Sequence, residues 1–412
     1  MKSSFLKEME SRGYLNQCTD LDGLDQICNK DRVIGYIGFD STASSLHVGS
    51  LLQIMILRLL QKHGHRPIIL LGGGTTLIGD PSGKDSTRKL LHEKDIKKNI
   101  SGIKKNFSKL LNFKNKKTKP IFVNNLSWLG KLNYVDFLRK IGSQFTINKM
   151  LTFDSVKLRL DREQSLSYME FNYMILQAYD FLMLNKKNKC ILQLGGSDQW
   201  GNIINGVELV RRISKTEVYG LTSPLITLAS GAKMGKTEKG AVWLDEKKFS
   251  PYEYWQFWRN ADDNDVKKFL KFFTDIEPNK IEKICNEESN VNKLKILLAN
   301  EATKILHGEK KSLECEKTAL ETFKLGRVGE NLPEIKINSL DLEKGVSILD
   351  LLSENKILSS KSEVRRLILN KGIKINDKII SETKLLNLND FNQIKHVKLS
   401  LGKKRHYILK KN

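Results

Sequence analysis

Tyr173, Gln177 and Asp180 in "SYMEFNYMILQAYDFLML" fall at i, i+4 and i+7, so they share one face of a helix. That stripe is too polar for ordinary core, and once buried it demands polar partners. An α-amino group and a hydroxyl would satisfy it. A second group, "LHVGS", sets His47 where a strand turns into a helix, with Gly49 letting a ligand lie against the helix start. A histidine there can donate to a phosphate oxygen. A third, "ASGAKMGKTEKG", places Lys233 and Lys236 on either side of Gly235 in a loop of small residues. Two lysines on such a loop can close on a triphosphate and stabilise charge developing on a departing pyrophosphate. Taken singly, each group has a plainer reading: a solvated polar face, a capping histidine, an exposed basic turn. A P-loop is excluded, because no GxxxxGK[ST] occurs.

These groups need elements to position them. Apolar runs at Val33–Phe39, Pro67–Leu71, Pro120–Val123 and Cys190–Leu194 alternate with helical patterns. That alternation predicts an α/β fold with a doubly wound, mainly parallel sheet. Glycines stand at or just past the ends of three of the runs: Gly38, Gly72 to Gly74, and Gly195 with Gly196. Ligands bind such sheets at the carboxyl ends of the strands, where Gly lets backbone come close. Asp198 and Gln199 follow the last of these turns, where such a pocket would lie.

With 412 residues the chain exceeds one ordinary core. Its patterning divides it into an α/β domain over 1–230, the lysine loop with a helical domain over 231–325, a linker over 326–345, and a small unit over 346–412. The aromatics Tyr252, Tyr254, Trp255, Phe257 and Trp258 read as the core of the helical domain. "KKNFSKLLNFKNKKTK" reads as a solvated basic helix and loop. The formal net charge is +23, which points to a polyanionic partner, nucleic acid first. A general surplus of Lys explains part of it. The last 67 residues, however, carry +9 of that charge, a much steeper excess than the +14 of the preceding 345. Five cysteines with no CxxC pair argue against a disulfide framework or structural zinc and fit a reducing cytoplasm. No run approaches 18 apolar residues, and the first 15 residues lack a signal-peptide core.

"HVGS" and "KMGKT" resemble the HIGH and KMSKS signatures of the class I aminoacyl-tRNA synthetases. With "GFDSTASSLH", "GGGTTLIGDPSGK", "YMILQAYDF" and "GGSDQWGN", the chain is similar to the bacterial-type tyrosyl-tRNA synthetases. The likeness runs from about residue 5 to the end. "SSKSEVRRLILNKGIKIN" resembles the small ribosomal-protein-like RNA-binding module that closes that family's chains.

The resemblance implies a Rossmann-like catalytic domain, a helical domain and an α+β RNA-binding tail. It also implies a tyrosine–tRNA ligase that uses ATP, with Mg²⁺ arriving on the ATP and no dedicated protein metal site. The product of the first step is tyrosyl-adenylate, which then acylates a terminal ribose hydroxyl of tRNA(Tyr). By the same resemblance, Tyr36 and Asp180 match the pair that hydrogen-bonds the substrate phenol. Tyr173, Gln177 and Asp80 match the ammonium site, Gln199 lies near substrate and ribose, and Thr75 lines the pocket. Asp40, Thr42, His47 and Gly49 match the adenylate-forming loop, with Gly196 and Asp198 at the ribose. Lys84 and Arg88 join Lys233, Lys236 and Thr237 in binding pyrophosphate. RNA contacts fall to Arg211 and Arg212 near the acceptor stem, and to Lys361, Arg365, Arg366 and Lys371 in the tail. The family works as a homodimer, with residues around 125–180 as the interface.

Two positions depart from the family pattern. Ser50 ends the HIGH-like motif where His or Asn is usual, which shortens any ribose contact. Ser41 stands where Pro is usual, which should loosen the turn slightly. The tryptophanyl-tRNA synthetases share the fold but have no need of Asp180 facing a phenol. A synthetase-derived splicing cofactor would have no need of intact Asp180, His47, Lys233 and Lys236.

Overall fold

A computed structural model describes residues 1–79, 91–229, 231, 234–237, 240–324, 332–355, 357–381, 384–391, 396–402 and 405–412. They form two compact units.

The first unit comprises Met1–Met234 and Asn264–Ser289. Its chain runs α1 (Ser4–Arg12), β1 (Gln17–Cys18), α2 (Leu21–Lys30), β2 (Ile34–Asp40), α3 (Leu51–Lys62), β3 (Arg66–Gly72), α4 (Thr75–Ile78), α5 (Glu93–Leu110) and β4 (Ile121–Asn124). It continues through α6 (Leu126–Leu129), α7 (Tyr134–Lys140), α8 (Ile147–Met150), α9 (Asp154–Asp161), α10 (Tyr168–Asn188), β5 (Leu192–Gly196), α11 (Trp200–Ser214) and β6 (Tyr219–Ser223). The sheet order is β1-β6-β5-β2-β3-β4. All neighbours are parallel except β1, which runs antiparallel to β6 at one edge. The four expected strands are present within about two residues. β1 and β6 were not foreseen, because "YGLTS" and "QC" carry no apolar run.

Leaving β2 the chain crosses to β3, while β5 lies on the other side of β2 and leads away to β6. The order therefore reverses between β2 and β5, and a crevice opens at their carboxyl ends. β3 is buried along almost its whole length, as a central parallel strand covered on both faces must be. The start of α10 is fixed by a capping box: Ser167 Oγ accepts from the Glu170 N–H at 3.2 Å, and Glu170 Oε2 accepts from the Ser167 N–H at 3.0 Å. That box sets which residues of α10 face the sheet.

The chain then passes to the second unit, Gly235–Asp263 and Asn290–Asn412. It forms the short pair β7 (Lys236–Thr237) and β8 (Gly240–Ala241), then α12 (Pro251–Arg259). It returns to the first unit for α13 (Val266–Phe273) and α14 (Pro278–Glu287) before resuming with α15 (Val291–His307) and α16 (Glu309–Lys324). The helical domain expected over 231–325 is thus divided, because Val266, Phe269, Leu270, Phe272 and Phe273 form an apolar face on α13 that buries in the first unit. Of the five aromatics expected in the helical core, Tyr252, Tyr254, Trp255 and Trp258 are buried in the second unit, whereas Phe257 is only half-buried.

β9 (Glu334–Ile337), α17 (Ser339–Lys344), β10 (Val346–Ser347), α18 (Ile348–Glu354), α19 (Lys361–Leu369), β11 (Ile373–Ile375), β12 (Lys378–Ile379), β13 (Leu385–Leu386), β14 (His396–Leu401) and β15 (Arg405–Lys411) complete the chain. Their main sheet has the order β12-β11-β14-β15-β9. The linker expected over 326–345 therefore reaches only part of that span: β9 pairs in parallel with β15, and Ile335 and Ile337 enter the core below it.

A charged knot ties the ends of the first unit together. Arg12 is buried, and its guanidinium donates to the carbonyls of Lys271 at 2.8 Å, Thr274 at 3.0 Å and Ile276 at 3.0 Å. Its Nε donates to Glu8 at 2.8 Å. Burial pushes the Glu8 carboxyl up, but hydrogen bonds from His63, Lys62 and Arg12 outweigh it and hold the group at about 2.

Candidate active site

Asp180 lies on the buried face of α10 with 1 % of its surface exposed. Its Oδ1 accepts from the Trp128 indole at 2.7 Å and its Oδ2 from the Asn125 amide at 2.8 Å. Asn125 cannot turn over. Its Oδ1 accepts from the Gly74 N–H at 2.7 Å, and its Nδ2 donates also to Thr75 Oγ1 at 2.9 Å. Burial raises the Asp180 carboxyl to about 7, against the pull of the two hydrogen bonds.

Tyr36 stands in the middle of β2, beside Ile68 of β3 and Gln193 of β5. Its ring packs on Phe181 at 5.3 Å between centroids. Its hydroxyl is buried and has no hydrogen-bond partner among the described residues. Burial raises that phenol well above its ordinary range, and the negative charge of Asp180 adds to the effect. The charge of Asp180 is felt at the Tyr36 hydroxyl, so a donor without a partner among the described residues and a carboxylate with spare lone pairs lie in the same buried region. Tyr173 is buried and Gln177 half-buried on the same helix.

His47 caps the short turn Val48–Ser50 ahead of α3. Its Nδ1 accepts from the Gly49 N–H at 3.0 Å, which puts the ring proton on Nε2 and makes that atom a donor. A Cβ on Gly49 would lie 2.6 Å from the His47 ring and 2.9 Å from the Met234 carbonyl, so only glycine fits.

The loop from Ser41 to Leu46 is braced by α5. Asn99 Nδ2 donates to the Ser41 carbonyl at 2.8 Å, and the Asn106 side-chain oxygen accepts from the Leu46 N–H at 3.0 Å. Gly102 lets the helix come this close: a Cβ there would sit 1.9 Å from the Ser44 carbonyl oxygen. The expected loosening at Ser41 is not seen. Ser41 is fully buried, and its N–H donates to Thr76 Oγ1 at 2.9 Å, a bond proline could not make.

Asp40 ends β2, and Gly196 ends β5 at the same edge of the sheet. Thr42 is exposed in the loop that follows β2. Asp198 is exposed and Gln199 half-buried in the turn after β5, with Gln199 Oε1 accepting from Asn202 at 3.0 Å. Ser50 is half-buried and makes no side-chain cap to α3. Asp80, Lys84, Arg88 and Lys233 lie outside the described residues, and of Lys236 and Thr237 only the backbone in β7 is described.

The sequence reading missed Asn125 and Trp128, which hold Asp180. It also missed Asn99, Asn106 and Gly102, which hold the 41–46 loop. Asn125 follows the carboxyl end of a parallel strand, a position that could have flagged it.

Arg211 and Arg212 lie exposed at the end of α11, where Arg211 donates to the Val218 carbonyl at 3.1 Å and Arg212 to that of Gln144 at 2.6 Å. In the second unit α19 buries Val364 and Ile368 and leaves Lys361, Arg365 and Arg366 exposed. Lys361 is ion-paired with Asp350, and Lys371 is exposed just beyond the helix. Among the described residues, no cluster of three His, Cys, Asp or Glu could hold a metal ion. No helix among them is long and apolar enough to cross a membrane.

The family model for class I tRNA synthetases (W and Y) matches residues 29–324. The chain belongs to that family. A tyrosine–tRNA ligase of Pelagibacter ubique is 63% identical over 404 residues, covering 98% of each chain. One from Rickettsia peacockii is 51% identical over 410 residues, covering 98% of this chain and 99% of its own. A C-terminally truncated mitochondrial tyrosyl-tRNA synthetase of Aspergillus nidulans superposes with a TM-score of 0.70 at 31% identity, covering 78% of this chain and 95% of its own. Within the class, the chain is one of the bacterial-type tyrosyl-tRNA synthetases.

Proposed function

We propose that this chain activates L-tyrosine with ATP, giving tyrosyl-adenylate and pyrophosphate, and transfers the tyrosyl group to the 3′-terminal adenosine of tRNA(Tyr). One observation supports the choice of amino acid above the others. A buried carboxylate with two donors, Asp180, acts electrostatically on a buried hydroxyl that has no partner among the described residues, Tyr36. A phenol satisfies both at once, donating to Asp180 and accepting from Tyr36. An aromatic ring without the hydroxyl leaves both unpaired, which is the physical basis of rejecting Phe. The roughly 10⁵-fold rejection of Phe is a value known for this enzyme class itself.

Tyr173, Gln177 and Asp80 take the ammonium group, Thr75 lines the pocket, and Gln199 lies near substrate and ribose. Tyrosine's carboxylate, already ionised, attacks the α-phosphorus in line. The new carboxylate O–P bond forms as the bridging P–O bond breaks and pyrophosphate leaves, so no general base is needed. Catalysis is then positioning and charge stabilisation. His47 donates from Nε2 to a phosphate oxygen beside Asp40, Thr42 and Gly49. Lys84, Arg88, Lys233, Lys236 and Thr237 bind the departing pyrophosphate, and Mg²⁺ enters with ATP. Gly196 and Asp198 contact the ribose. A terminal ribose hydroxyl of the tRNA then attacks the tyrosyl carbonyl, and AMP leaves. Arg211 and Arg212 face the acceptor stem, while Lys361, Arg365, Arg366 and Lys371 face phosphates from the tail.

Two copies work together in the cytoplasm. Tyr134, Val135, Leu138, Ile147, Leu151, Leu160 and Tyr168 are exposed apolar or aromatic residues within 125–180, and a surface of that kind favours a partner. The testing experiment is ATP–pyrophosphate exchange with each amino acid in turn. Exchange with tyrosine alone supports the reading. Exchange with tryptophan removes Asp180 and Tyr36 from the specificity role.

A further inference from the structure

From residue 96 to residue 135 the chain has ten lysines and no Asp or Glu. The whole chain holds 47 acidic residues in 412, so a stretch of this length would ordinarily carry four or five. A compositional surplus of Lys adds cations but does not remove acids.

The fold gathers this charge on one face. α5 buries Ile96, Ile100, Ile103, Phe107 and Leu110 and turns Lys97, Lys98, Lys104, Lys105 and Lys109 outward. Lysines four apart on a helix, such as Lys105 and Lys109, repel one another in the free protein. Beyond α5, Lys114, Lys116, Lys117 and Lys119 are exposed. Of these side chains, Lys105, Lys114, Lys116, Lys117 and Lys119 make no ion pair with a described residue. The loop that carries them is tied down by its carbonyls. Gln61 donates to Asn112 at 2.7 Å and to Thr118 at 3.0 Å, Arg32 to Lys117 at 3.0 Å, and Arg66 to Lys119 at 2.9 Å. Its backbone is thus already ordered, which lowers the entropy cost of binding. On α5 itself Lys97 is ion-paired with Glu93 at 2.7 Å, while Asp275 is engaged by Arg58 at 2.6 Å and Glu277 by Lys62 at 3.1 Å.

We propose that α5 and the 111–120 loop form a second RNA-contacting surface, which takes the phosphate backbone of an RNA duplex other than the tRNA being charged. Protein partners need apolar anchors, and no large apolar side chain is exposed among the described residues from 91 to 120. The rise from Lys97 to Lys109 is about 18 Å, or about five phosphate steps along a strand. The loop feeds the amino end of β4, whereas Asp40, Gly72 and Gly196 end their strands at the opposite edge of the sheet. A tRNA 3′ end seated at the tyrosine pocket is therefore at the other edge.

The test uses the full chain carrying K105Q, K114Q, K116Q and K117Q, with a charge-keeping set of four Lys→Arg changes. The probe is a fluorescent RNA duplex of arbitrary sequence, about 20 base pairs long, titrated from about 50 to 200 mM salt. The Gln set is expected to weaken the duplex about tenfold or more and to flatten the log–log salt slope by about 3, while the Arg set binds as the parent does. Tyrosylation of tRNA(Tyr) stays within about twofold. If the full Gln set misfolds, K116Q/K117Q in the loop carries the same test at about half the slope change. Unchanged duplex binding overturns the proposal. So does a parallel loss in tRNA charging, which assigns the face to the charged tRNA, or a loss confined to R365Q/R366Q in the tail.

Discussion

Asp180→Asn isolates the phenol pocket with almost no change in volume. In the folded protein one carboxylate oxygen faces the Trp128 indole N–H and the other the Asn125 amide. An asparagine must turn its NH₂ toward one of these donors. Asn125 cannot compensate by flipping, because its oxygen is held by the Gly74 N–H and its nitrogen by Thr75. The phenol then loses a charged acceptor, worth about 1.5–3 kcal/mol, and gains at best a neutral one of about 1 kcal/mol in a displaced position. Counting the misdirected amide as well, tyrosine should lose about 2 to 4 kcal/mol of transition-state binding that phenylalanine never had. That is about 30- to 700-fold in discrimination. The assay is kcat/KM for ATP–pyrophosphate exchange with tyrosine and with phenylalanine, and KM for ATP. A parallel fall for both amino acids, or an equal loss in ATP affinity, would refute the reasoning and make Asp180 a structural residue.

Tyr36→Phe removes a buried hydroxyl with no partner among the described residues, so the free protein should gain about 1 kcal/mol or more in urea unfolding while tyrosine kcat/KM falls by about tenfold or more. Because the folded Asp180 carboxyl is raised to about 7 from 3.8, the native state holds the extra proton between those values. Stability of the free protein should therefore fall as pH rises through that window, by a few kcal/mol at about 1.4 per unit. Asp180→Asn should abolish that slope in urea midpoints measured across it, and an unchanged slope would assign it elsewhere. Gly102→Ala forces a Cβ against the Ser44 carbonyl and should cost about 2 kcal/mol, with slower adenylate formation as the 41–46 loop shifts. Arg12→Ala leaves three carbonyls without their donor and strips Glu8 of one of its three partners, and should cost about 3 kcal/mol in thermal or urea unfolding.

Much of this was legible in the residues. Buried parallel strands are short apolar runs, and four of the five could be read directly. The Tyr173, Gln177, Asp180 stripe was legible because helical period places three polar residues on a face that otherwise buries apolar ones. What holds those groups was not legible. Asn125 and Trp128 sit in "NNLSWLG", with no period and no charge, and meet Asp180 only because β4 ends beside α10. Asn99, Asn106 and Gly102 look like weak points in a helix until the 41–46 loop is seen against them. β1 and β6 carry too little apolar sequence to announce a strand. The return of α13 and α14 to the first unit depends on which of two cores accepts an amphipathic helix, a choice that local pattern does not contain.

The guanidinium of Arg12 bears on how the chain is made. Its most distant acceptor, the carbonyl of Ile276, is 264 residues further on. At 5–20 residues per second, that carbonyl leaves the ribosome roughly 10 to 50 s after Arg12 has been synthesised. Until then the first unit lacks α13 and α14, and Arg12 must stay in water. Any stretch of the second unit up to Asp263 emerges before the first unit can close. Assembly of the catalytic half is therefore late and long-range, and a nascent chain stalled before residue 264 should remain sensitive to protease at its own amino terminus.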